Sequence, residues 1–156
     1  MKKIDKLAKD IELIKKEILP KEPEHFNVKD IIHAFFGALV VGLTFMFKGL
    51  LLESSLRLSW TNIVVIIITT VVIITLEIYF IGYSRVTTKK ERKPGQFVIK
   101  RFITVYLITL TVSLFLINIF GISSIAGNVS NVFKLVFVLG MPCGIGATLA
   151  DLFKKY

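Results

Sequence analysis

Residues 60–83 read WTNIVVIIITTVVIITLEIYFIGY. In water so many β-branched residues would suggest a strand. In a bilayer the backbone must satisfy its own hydrogen bonds, and a run this long does so as a helix. About 20 mostly apolar residues cross a hydrocarbon core of about 30 Å. Trp60 and Tyr83 bracket the run, as interfacial aromatics do.

Three more segments have the same character. They cover 30–52 (DIIHAFFGALVVGLTFMFKGLLL), 97–120 and 132–153. Hydrophobic residues make up 54% of the 156-residue chain, against roughly 45–50% apolar in a soluble domain even with glycine counted. The excess is gathered into the four runs, and nearly all the charge lies between them. The expected fold is all-α: a four-helix integral membrane bundle over 28–156, preceded by an amphipathic cytoplasmic helix and linker over 1–27.

Lysine and arginine set the expected orientation. Eight lie before the first span, seven between Arg85 and Arg101, and two in the C-terminal tail. The opposite side has Lys48, Arg57 and Lys134. This asymmetry predicts cytoplasmic N and C termini in the plasma membrane. The net charge of +9 is then mostly a topology signal, with anionic lipid headgroups as partners. No nucleic-acid motif accompanies it. The charged first 25 residues leave no room for a signal-peptide core.

In the N-terminal segment Ile4, Leu7, Ile11, Ile14 and Ile18 are spaced as an a/d heptad seam, ended by Pro20 and Pro23. With Ile4 at a, Asp10 falls at g and Lys15 at the next e, a favourable pairing between parallel copies. The same helix would also suit the membrane surface, with lysines toward headgroups. The first alternative makes the chain a homo-oligomer.

Ionisable groups inside spans are functional candidates, because each needs a partner, neutralisation or water. Lys48, Glu53, Arg57 and Lys134 lie near span ends and reach water by snorkelling. Glu77 is too short for that. His33, Arg101 and Asp151 occupy a similar level on the other spans, forming either a structural cluster or an ion or proton site. Antiparallel packing of the second and third spans predicts a Glu77 pair with Arg101 or His33. Arg101, Thr104, Thr111 and Asn118 share one face of the third span. They suggest either a water-lined path or interhelical hydrogen bonds.

The last span contains Gly140, Pro142 and Gly144. Proline removes a backbone donor and frees the Val138 carbonyl. The segment is either an unwound binding site or a kinked, continuous packing helix. Gly140, Gly144 and Thr148 form a small-residue ridge, with Cys143, Ala147 and Asp151 on the adjacent face. Ala34, Ala38 and Gly42 form another ridge in the first span. The single cysteine, Cys143, excludes an intramolecular disulfide and reads as a packing residue.

HAFFGALVVGL (33–43) and GMPCGIGATLAD (140–151) resemble an uncharacterised prokaryotic family of small integral membrane proteins. The resemblance implies the architecture and no activity. No metal motif, P-loop, nucleophile elbow or potassium-channel filter is present. No cofactor, metal or enzyme activity is therefore expected. Two functions follow: a homo-oligomeric channel or transporter for ions or protons, or a structural adaptor subunit.

VTTKKERKPGQ (86–96) has no apolar face, and Pro94-Gly95 is a turn signal. This cytoplasmic loop should be exposed and mobile. Trypsin added to inside-out vesicles should cut there. Cutting confined to right-side-out vesicles would reverse the topology.

Overall fold

The computed structural model describes residues 28–80 and 94–153. The N-terminal heptad segment, and most of the loop between the second and third spans, lie outside the described residues. Six helices follow: α1 (Val28–Phe47), α2 (Leu50–Arg57), α3 (Trp60–Ile78), α4 (Pro94–Ile119), α5 (Ile122–Ile125) and α6 (Val129–Phe153). Among the described residues, α1, α3, α4 and α6 are long and apolar enough to cross a membrane.

The first span ends earlier than its hydropathy suggests. Gly49 has φ 65°, a left-handed conformation that glycine adopts without strain. The chain turns there, so Leu50, Leu51 and Leu52 belong to α2. At the start of α3 the Ser59 hydroxyl accepts from the Asn62 N–H at 3.4 Å, a standard N-cap device. Pro94 opens α4 instead of making a turn. Proline suits a first helical position, where its missing N–H has no partner to lose.

The β-branched α3 is helical throughout. Thr69, Thr70 and Thr75 each donate to the carbonyl four residues back, at 2.8, 2.8 and 2.7 Å. Their hydroxyls therefore need no water.

Helix α6 is the centre of the bundle. Of its spanning window 61% is buried, against 22–33% for the other three spans. It packs on α1, α3 and α4, and α1 also packs on α4. Contact between α3 and α4 is slight. Residues near Gly37 and Gly42 meet Gly146 and Cys143 in that order, so α1 and α6 run antiparallel. Helix α3 runs parallel to α6, matching Ile74 with Gly144 and Glu77 with Thr148.

Small residues permit this arrangement. Lipid supplies little hydrophobic drive for one helix to pack on another, so close backbone approach matters more. Ala34, Ala38 and Gly42 are buried on α1; Cys143 and Ala147 are buried on α6. At the crossing, Gly37 and Gly146 touch through their backbones. A Cβ on Gly37 would collide with the Gly146 carbonyl, and one on Gly146 would come within 2.7 Å of Val41.

The α6 ridge serves different neighbours at different levels. Gly144 accommodates Ile74 of α3, while Gly140 lies beside Leu110, Thr109 and Ser113 of α4. The helix continues through Pro142, so Gly140, Pro142 and Gly144 do not form an unwound segment. Packed neighbours on several sides hold the proline-containing turn in helical form.

At the far end from the start of α1, Lys134 donates to the Leu58 carbonyl at 2.9 Å. Its ammonium lies 5.6 Å from the centre of the Trp60 ring. Both contacts tie α6 to the α2–α3 junction. Nearby, Glu53 and Arg57 form an exposed i,i+4 ion pair at 3.1 Å, worth little in water.

Gly146→Val should destabilise the protein by about 1–3 kcal/mol through overpacking. Val40→Ala, on an exposed part of α1, should change stability far less. Thermal unfolding in detergent measures both. Equal, small effects would deny the backbone contact.

Candidate functional site

Four polar side chains gather at the end of the bundle where α1 begins and α6 ends. Asp30 lies in the first turn of α1, Glu77 near the end of α3, Arg101 early in α4 and Thr148 late in α6. Asp30 and Arg101 are buried, with 7% and 8% of their surfaces exposed. The Asp30 carboxylate is the charge that acts on Arg101. Glu77 is half-buried and accepts a hydrogen bond from the Thr148 hydroxyl.

The expected Glu77–Arg101 pair does not form. The reason lies in the packing: α3 leans on α6, while α4 leans on α6 and α1. Glu77 meets Thr148 on the helix it packs against, and the charge of Asp30 acts on Arg101 from α1. Thr148 has one hydroxyl hydrogen, with the Gly144 and Ile145 carbonyls also in reach at 3.1 and 3.0 Å. Donating to Glu77 diverts it from the bond within its own helix.

His33 shares the level but is exposed on the outer side of α1, away from this group. Asp151 is placed in α6 by its backbone; its side chain lies outside the described residues. Among the described residues, no three His, Cys, Asp or Glu side chains converge as a metal site would need.

The polar line on α4 lies elsewhere than the bundle interior. Thr104 is half-buried, and Thr111 and Asn118 are exposed. Thr104 and Thr111 donate to carbonyls four residues back at 3.0 and 2.8 Å, and the Asn118 amide does so at 2.8 Å. An internal water path along these residues is therefore not formed within one chain. Arg101 alone of the four points inward.

Besides Arg101, the interior polar residues of α4 are Thr109 and Ser113, both fully buried. They donate to the Val105 and Thr109 carbonyls at 2.8 and 2.9 Å. Ser113 also meets the Cys143 thiol. Their four-residue spacing opposite Gly140 and Gly144 was a usable sequence signal. Asp30 carried one too: with Ala34, Ala38 and Gly42 it makes a single ridge at four-residue intervals.

Chemically, the group separates into two buried charges of opposite sign and a more accessible acid. The Asp30 charge acts on the Arg101 guanidinium. Among the described residues Glu77 has a hydroxyl partner and no basic one. Such a carboxylate can take up a proton or hold a cation.

The two members should respond differently to mutation. Arg101→Met should cost about 3–5 kcal/mol, because it removes a positive charge set near a buried carboxylate. Glu77→Gln should be much milder, since an amide oxygen can still accept from Thr148. Unfolding monitored by helicity in detergent compares them. A more severe effect from Glu77→Gln would reverse the assignment.

No curated protein and no solved structure matches this chain. A family model does, over residues 6–153, with the description "Putative integral membrane protein (DUF2391)". The four apolar spans agree with that description. The match covers nearly the whole sequence, so the chain belongs to this integral membrane family, one of unknown function.

Proposed function

We propose that the protein is a homo-oligomeric channel or transporter for protons or small cations, with Glu77 as its exchangeable site. Both termini face the cytoplasm of the plasma membrane in this reading. The carrying observation is the division of charge at the end of the bundle. Arg101 is buried in the field of Asp30, while Glu77 is held by Thr148 and half open. A carboxylate with a neutral partner can change its proton or cation without breaking a buried ion pair.

The centre of a single bundle is filled by α6. A pathway then runs between copies, or along the surface of α3 and α6 that carries Glu77. The role is one of binding and passage; no catalytic step is invoked.

The deciding experiment is flux into proteoliposomes, tested separately for protons, sodium, potassium and chloride. Wild-type protein should pass protons or a cation. Glu77→Gln should reduce the rate by about tenfold or more, the effect of roughly 1.4 kcal/mol on a barrier. Flux of none of these ions by wild type, or an unchanged rate in Glu77→Gln, would defeat the proposal.

The adaptor reading draws on a different observation. Close packing around α6 leaves the exposed apolar surfaces of α1, α3 and α4 as the free faces of the described bundle. A stable heteromeric partner at fixed stoichiometry, purified from native membranes, would favour it.

A further inference from the structure

The outer side of α4 carries more than an isolated polar line. Thr104, Leu107, Thr111, Leu114 and Asn118 are spaced 3, 4, 3 and 4. This is a heptad seam, with Thr, Thr and Asn at a and Leu at d. It lies opposite the side of α4 that packs into the bundle through Val105, Thr109, Val112 and Leu116. Leu107 is 58% exposed and Leu114 47% exposed. The seam runs about 21 Å, at about 1.5 Å per residue.

We propose that this face of α4 binds a second copy of the chain, inserted in the same orientation. The proposal deepens the oligomeric reading above by naming its contact. Copies inserted in the same direction bring each a position against its equivalent. Asn118 would then meet Asn118, each amide using the donor and acceptor capacity left beyond its bond to Leu114. Polar groups bonding across helices are a recognised source of association in lipid. The strict seven-residue repeat drifts about 20° per heptad on a straight helix, a mismatch that left-handed coiling of two helices removes.

In its heptad reading, the N-terminal sequence asks for the same partner. Asp10 at g and Lys15 at the next e are complementary in charge between parallel copies, beside a seam of Ile4, Leu7, Ile11, Ile14 and Ile18. Lys100 continues the α4 register toward that end and is exposed. Its long side chain reaches water, and like charge marks where close contact stops.

Cysteine cross-linking in membranes tests the contact. The parent chain keeps Cys143, which is fully buried and serves as the blank. Single cysteines replace Leu107, Thr111, Leu114 or Asn118 on the seam, and Val40 or Ile68 on exposed parts of α1 and α3. Under mild oxidation the seam positions should form covalent dimers several-fold faster than Val40→Cys or Ile68→Cys. Light scattering of the parent chain should give a mass of at least two copies, lowered toward one by Leu107→Ala with Leu114→Ala. Equal rates at all positions, no dimer from the seam, cross-links to a different protein, or a parent mass of one copy would each overturn the proposal. Flux measured on the same preparations separates the two claims. Glu77-dependent flux without seam cross-linking removes the interface alone, and seam cross-linking without flux removes the transport reading alone.

Discussion

The backbone contact between Gly37 and Gly146 sets the rest of the bundle. In lipid a helix gains little by hiding apolar surface, since the surroundings are already apolar. Van der Waals contact at short range decides which helices meet. Neither glycine tolerates a Cβ at this crossing. The approach brings α1 onto α6 and places Ala34, Ala38, Cys143 and Ala147 in a continuous buried seam. With α6 so engaged, α3 and α4 settle on its remaining sides, and they barely meet each other.

That geometry decides the electrostatics. Arg101 on α4 comes to Asp30 on α1, and Glu77 on α3 comes to Thr148 on α6. Had α3 and α4 packed as sequence neighbours, Glu77 and Arg101 would have neutralised each other. Instead the bundle buries Asp30 and Arg101 and leaves a second carboxylate half open. In the transport reading Glu77 is exchangeable because its partner is neutral, a difference that depth alone would not produce.

The spans were legible because crossing a bilayer imposes a local requirement: about 20 apolar residues in a row. Which side of each span faces inward was far less legible. In water an apolar stripe marks the core. In lipid the outer face is equally apolar, so hydrophobicity no longer reports burial, and residue size becomes the better guide. The ridges Ala34–Ala38–Gly42 and Gly140–Gly144–Thr148 were readable for that reason. Thr111 and Asn118 lie on a face that their helix turns away from the bundle, so polarity does not mark the interior there. Asp30 stands at the first position of its span, where a charge by itself signals little, although it sits on the same ridge as Ala34. The end of the first span at Gly49 was hidden by the leucines that follow it.

The most direct measurement of this account is a pair of double-mutant cycles on folding stability. One combines Asp30→Asn with Arg101→Met, the other Glu77→Gln with Arg101→Met. Contacting residues couple by about 0.5–3 kcal/mol, whereas independent sites add to within about 0.3–0.5 kcal/mol. Coupling is expected for Asp30 with Arg101 and near additivity for Glu77 with Arg101. Strong coupling of Glu77 with Arg101, and none for Asp30, would contradict the packing around α6 and the site built on it.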